Sequence, residues 1–163
     1  MKTRGWISLF CLAVLVVGGI FLVFQEVWVL RVENTDHPGE LMIRTAPAAR
    51  FSLSYINSIY LQPAAEDFRV GEGEEIILLG VRTRSPAVAA YYGFEEGKDY
   101  YPVNRTLKSF VLRLGMSQAQ TLSWGNRQVS LGELGKPGDR LEVRVVRMTR
   151  GRYLLSSGKK ERG

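Results

Sequence analysis

The sequence predicts a mainly β fold, a β-sandwich (immunoglobulin-like or an open barrel) that follows one N-terminal transmembrane helix. Three observations lead there. An uncharged apolar run opens the chain, no apolar pattern of period 3.6 is sustained beyond Val27, and short alternating runs bounded by turn residues recur to the end. At 163 residues with 45% hydrophobic content, the chain has about one domain's length beside that run.

The opening run extends from Trp6 to Phe24, 19 residues without a charge, enough to cross a bilayer core as a helix. Its one small-residue stretch, Val17-Gly18-Gly19, is followed by further apolar residues, so an uncleaved signal anchor is expected over 1–25. Lys2 and Arg4 precede the run, while Glu26, Glu33 and Asp36 follow it, which puts the remainder outside the cytoplasm on a single-pass cell-membrane protein. An exported β-domain then covers 26–156 and a basic tail covers 157–163. Trp6 and Trp28 bracket the run as interfacial anchors, unless Trp28 belongs to the first strand. The one cysteine, Cys11, sits inside the run after the bulky Phe10, so it offers no internal disulfide, no cysteine metal site and a poor lipid acceptor.

The net charge of +6 comes largely from the two ends, leaving about +2 for the body, too little for a nucleic-acid footprint. The strands expected are Val27–Val32, Glu40–Arg44, Arg50–Tyr60, Glu66–Val70, Glu74–Arg84, Lys108–Gly115, Ala119–Trp124, Arg127–Leu131, Leu141–Met148 and Gly151–Leu155. Gly125-Asn126 suits a two-residue hairpin with both central residues at positive φ, and Pro137-Gly138 suits a type II turn. Between Ser85 and Arg105 the alternation breaks, in a segment carrying Tyr91, Tyr92, Phe94, Tyr100 and Tyr101. Such a loop is either a contact surface, with Tyr91, Tyr92 and Tyr101 as candidate binding residues, or a cover over one open end of the sandwich.

The stretch FSLSYINSIYLQPAAEDF alternates and then breaks its own rule, because every second residue from Phe51 to Leu61 is apolar or aromatic except Asn57. On the next strand Glu66 shares a face with Phe68 and Val70 and so also points inward, where a polar group is costly unless partnered. If Gln62 to Ala65 form the turn, Asn57 faces Val70 and lies about 13 Å along the strands from Glu66. A bulge or bend near Ser58 would instead let Tyr55, Asn57, Ser58, Tyr60 and Glu66 converge, as a structural network or as a ligand- or partner-binding site.

This order, F-x-L-x-Y-x-N-S-x-Y followed by Pro63, Glu66 and Phe68, resembles the family called domain of unknown function eighteen-fifty, small bacterial proteins often encoded beside TRAP transporters of the TAXI type. The later segments VNRTLKSFVLRLG and QTLSWGNRQVSLGELGKPGDRLEVRV are similar in layout to its second half. Carried across, the family's tyrosine, histidine and serine fall on Tyr55, Asn57 and Ser58, its proline on Pro63 and its acid on Glu66. The histidine is thus replaced by an amide, which neither titrates nor binds metal well. Ser85-Pro86-Ala87-Val88 likewise stands where the family tends to be glycine-rich.

Enzymatic chemistry finds little support. The one histidine, His37, lies in ENTDHPGE with no cysteine or serine motif to activate, and no phosphate-cradling glycine loop is present. The acidic groups Glu72, Glu74, Glu75 and Glu95, Glu96, Asp99 lack the spacing of a calcium loop, so no metal and no cofactor are expected. The expectation is a non-catalytic, membrane-anchored accessory protein of a TAXI-type TRAP solute transporter, the transporter being what the resemblance implies. The alternative is a self-contained envelope domain that binds a sugar or small molecule through the aromatic loop 91–101.

Overall fold

Residues 12, 15, 18, 19, 21–95, 97–115 and 120–157 are described by the computed structural model of the chain. They form β1 (Glu26–Asn34), β2 (Glu40–Thr45), β3 (Arg50–Ile56), β4 (Pro63–Val70), β5 (Ile76–Arg82), β6 (Tyr100–Leu107), β7 (Ser109–Arg113), β8 (Thr121–Trp124), β9 (Arg127–Ser130) and β10 (Arg140–Thr149). A short helix α1 (Pro86–Tyr91) joins β5 to β6, a 3-10 turn (Leu131–Leu134) leads toward β10, and helix α2 (Arg150–Ser157) follows it.

Two antiparallel sheets result, one of order β2-β1-β10-β7 and one of order β6-β5-β4-β3-β8-β9. Alternation decides what each sheet buries: Leu30 and Val32 on β1 and Leu141, Val143 and Val145 on β10 meet Phe51 and Leu53 on β3, Phe68 and Val70 on β4 and Leu122 on β8 in one core. Phe68 is the hinge pin of that core. Its ring stacks on Phe51 of its own sheet at 5.0 Å and on Phe110, from β7 of the other sheet, at 4.8 Å. Each such fully buried side chain contributes about 1.5–3 kcal/mol. Two sheets sharing one apolar layer fit the β-sandwich expected from the sequence.

The chain divides into two units, Trp28–Val146 and one drawn from its two ends, Met1–Val27 with Arg147–Gly163. In the second unit residues 21–24 are helical, Arg150 N donates to Gln25 O at 2.7 Å, and Gly151 lies so close to Val23 that a β-carbon there would sit 2.6 Å from its side chain. Among the described residues no helix is long and apolar enough to cross a membrane. Most of the expected anchor, including Trp6 and Cys11, and the tail from 158 onward lie outside the described residues.

Several local expectations are corrected. Gly151–Leu155, expected as a strand, lies inside α2, and the segment expected as an irregular loop contains α1 and β6. Six residues are too few for helical periodicity to register in the sequence, although Ser85 before Pro86 is a cap signal: Ser85 Oγ accepts from Val88 N at 3.4 Å. β6 escaped notice because Asn104, at φ 54, interrupts its alternation opposite a register shift between Leu78 and Gly80. The third strand stops at Ile56, short of Tyr60, and its partner begins at Pro63, ahead of Glu66. Trp28 belongs to β1 and packs against the core. The hairpin at Gly125-Asn126 is present, with Gly125 alone at positive φ, and Gly138 takes φ 98 in the Pro-Gly turn.

Candidate functional site

The register of β3 on β4 fixes the site's geometry. Ile56 pairs with Pro63, Tyr55 with Ala64 and Leu53 with Glu66, so the connection is the six residues from Asn57 to Gln62. Strand polarity then puts Tyr55 and Glu66 diagonally across one face, and the Tyr55 hydroxyl donates to Glu66 Oε1 at 2.9 Å. The bend expected at Ser58 is therefore not what completes the site. The register is shifted relative to the simple count, and Tyr55 reaches the carboxylate in place of Asn57.

Asn57 has a different task. At 7% exposure it is the first residue of the turn, and its Oδ1 accepts from Ile59 N at 3.0 Å and Tyr60 N at 3.1 Å. Its own backbone receives Leu61 N at 2.8 Å and gives its N–H to Gln62 O at 2.8 Å. The amide thus holds an Asx-type turn whose unpaired N–H groups would otherwise be left open. Ser58, the turn's next residue, is exposed.

Helix α1 supplies the third member. Its Val88 and Ala89 are fully buried, and its start is fastened to the sheet by Thr83, whose Oγ1 donates to Pro63 O at 3.1 Å and accepts from Ser85 N at 3.2 Å. Tyr92, capping the helix, is thereby aimed at Glu66 and donates to the same Oε1 at 3.0 Å, its hydroxyl also touching that of Tyr55. From Tyr92 a run of rings continues: Phe94 stacks on it at 6.0 Å, Tyr101 stacks on Phe94 at 4.7 Å, Tyr91 meets it edge-on at 5.5 Å, and Tyr60 meets Tyr91 edge-on at 6.5 Å.

The sequence-expected residues Tyr55, Tyr60, Glu66, Tyr91, Tyr92 and Tyr101 therefore do form one connected assembly, whereas Asn57 and Ser58 stand in the adjoining turn. Tyr101 is 5% exposed and closed off by Phe94, so it presents no open ring. Beside the cluster runs a groove of about 470 Å³ lined by Tyr55, Ile56, Pro63, Thr83, Arg84 and Asp99 among others.

Electrostatics limit what the cluster can do. Burial, then the Glu66 charge, push the Tyr55 phenol far above its usual range, and burial with the same carboxylate pushes Tyr92 up to about 12. Phenols so shifted keep their protons near neutrality and cannot act there as bases or nucleophiles. The arrangement fastens α1 to the β3–β4 hairpin.

What it supports is an apolar surface. Ile59, Tyr60 and Leu61 in the turn stand exposed next to Ile56 and Tyr91, Leu61 at 73%. The alternation rule had assigned Ile59 and Leu61 to the inner face; the turn beginning at Asn57 throws both outward. Leu61 also holds φ 53, a left-handed conformation that a branched apolar residue adopts at a cost of about 1–2 kcal/mol. The sequence offered one signal, an Asn followed five residues later by Gln-Pro, which marks a turn more readily than a continuing strand.

A second polar cluster had no counterpart in the sequence reading. Asn34, at the end of β1, donates from Nδ2 to Asp139 Oδ2 at 2.8 Å and Leu134 O at 3.0 Å while its Oδ1 accepts from Asp36 N and His37 N. His37 Nδ1 lies 3.0 Å from the same Asp139 oxygen, so the loop histidine does have a partner. The Lys136 backbone N–H and the Asn34 amide hold the Asp139 carboxyl below the usual carboxylate range. Gly135 is required here, since a β-carbon would sit 2.2 Å from Asn34 Nδ2.

No family model matches the chain, and neither a curated protein nor a solved structure gives a significant match. The resemblance to domain of unknown function eighteen-fifty accordingly rests on the residues quoted for it.

Proposed function

We propose that the chain is a non-catalytic accessory protein, held at the membrane by its N-terminal segment with the β-domain outside the cytoplasm, that docks on the membrane subunits of a TAXI-type TRAP transporter. The observation that carries the docking role is the exposed apolar turn, Ile59-Tyr60-Leu61 with Ile56 and Tyr91. Contiguous exposed apolar surface of this kind marks interaction sites, and tyrosines are favoured at their centres. Strain at Leu61 adds weight, because a costly left-handed leucine with 73% of its surface exposed gains little packing in return. The transporter as partner is supported by the family resemblance, and the tether by the charge-flanked apolar run at 6–24.

The test is gentle detergent extraction of the full chain from its native membrane, followed by pull-down and identification of what accompanies it. Large membrane subunits are expected with the unaltered chain and lost with Ile59→Ser. Repeated recovery of the unaltered chain alone would overturn the reading.

A further inference from the structure

The outer face of the six-stranded sheet carries an arrangement that the docking turn does not use. A trough of about 510 Å³, within the usual range of small-ligand sites, is lined there by Arg50, Ser52, Asp67, Arg82, Tyr100 and Ser123 among others. Tyr100 closes over Gly80 at one side of it. Gly80 has no side chain, and a β-carbon at that position would meet the Tyr100 ring at 2.6 Å, so the phenol rests on the bare backbone with 41% of the residue open to solvent. Ser52 and Ser123, paired in register on β3 and β8, place two hydroxyl-bearing side chains side by side on the floor.

Charge on this face is unbalanced. Arg82 is matched, donating from Nη2 to Asp67 Oδ1 at 2.8 Å. Arg50 and Arg69, by contrast, are directly opposite each other on β3 and β4, a like-charge pair that destabilises a sheet unless an anion lies between. Among the described residues neither has an acidic partner within ion-pair distance, and Arg69 Nε is buried without a hydrogen-bond partner. The register puts Arg69 one strand and two residues from the Gly80 backbone under the ring, about 8 Å away.

We propose that this face binds an acidic oligosaccharide, with a sugar ring stacked on Tyr100 and a carboxylate held between Arg50 and Arg69. A half-exposed phenol beside hydroxyl groups suits the C–H face and the hydroxyls of a pyranose. The paired guanidinium groups supply the fork that a carboxylate takes. Two free arginines are too few for a nucleic-acid track, which requires many phosphate contacts. The site is independent of the transporter reading, since its residues are distinct from those of the apolar turn.

The experiment titrates full-length protein in detergent with trigalacturonate and, separately, with the uncharged galactotriose, by calorimetry. Saturable binding of trigalacturonate is expected, roughly tenfold or more tighter than galactotriose, weakened roughly tenfold by Arg50→Gln. Tyr100→Ala is expected to weaken it about three- to tenfold while Tyr100→Phe keeps it, with circular dichroism showing all three variants folded. Ile59→Ser should leave it intact, which separates this site's failure from that of the docking surface. No saturable binding, equal affinity for galactotriose, or indifference to both Arg50→Gln and Tyr100→Ala would overturn the proposal.

Discussion

Tyr55 and Tyr92, 37 positions apart, give their hydroxyl hydrogens to one carboxylate oxygen, Glu66 Oε1, at 2.9 and 3.0 Å. This convergence ties helix α1 to the β3–β4 hairpin, and it makes stability sensitive to alkali. Each phenol's pKa is raised in the folded chain above its unfolded value of 10.0, so the stabilisation is full below pH 10 and is lost as pH rises toward the folded value, about 12 for Tyr92. Unfolding in denaturant measured from pH 8 to 12 should show stability falling above about pH 10. Tyr92→Phe should flatten that fall and cost about 1–2 kcal/mol at pH 8. An identical slope in the variant would remove the account.

Asn57 holds its turn by accepting two backbone N–H groups, as a helix-capping side chain does. Asn57→Ala should therefore cost about 1–2 kcal/mol and lower the melting temperature by roughly 5 °C. Asn57→Asp, which keeps the accepting oxygen, should lose much less. The exposed change Arg127→Ala serves as the reference, and calorimetric melting of the three variants decides the matter.

Leu61 separates stability from binding. Glycine accepts its φ of 53 without steric cost, and little apolar burial is lost from a side chain 73% exposed. Leu61→Gly is expected to be stabilising by up to about 1 kcal/mol, the relief of strain exceeding the entropy that glycine adds to the unfolded chain. The same change should weaken recovery of membrane subunits in the pull-down. A variant that melts lower than the parent would show that the leucine contributes packing in this position.

Acid should act at the second polar cluster. The Arg140 side chain, then its backbone N–H, hold the Asp36 carboxyl at about 2 against an ordinary 3.8. A depressed folded pKa gives stability that is full above the unfolded value and lost as pH falls through the folded one, hence between about pH 4 and pH 2. Asp36→Asn should flatten the acid limb of the stability profile in that window. Asp139, also depressed by its donors, should leave a residual slope in the variant.

How much of this was legible in the sequence depends on the range of the interaction. Alternation located the strands whose inner residues fill the core, because a period of two is set by the pleat and needs no knowledge of the partner. It failed where a polar side chain competes locally with the ladder: Asn57 ends β3 by bonding Ile59 and Tyr60, so extrapolating the pattern sent Ile59 and Leu61 to the wrong side. It failed again at Asn104, whose left-handed backbone shifts the phase of β6. Asn57 and Glu66 were recognisable as polar residues in apolar rows, but Tyr55 and Tyr92 as the partners of Glu66 depend on the strand register and on the position of α1, which only tertiary packing sets. The Asn34–Asp139 contact spans 105 positions and left no local trace.

The pairing of β1 with β10 also dictates when the domain can close. The first strand and its neighbour are separated by more than a hundred residues, so the six-stranded sheet, built mostly from adjacent hairpins, can assemble from the middle of the chain while β1 waits. During synthesis Leu30 and Val32 lack their neighbours from β10 until Leu141 to Val145 have emerged. A chain that stops between β6 and β10 would keep the β3 to β6 meander and lack the strand that pairs with β1, leaving one edge of that first strand open.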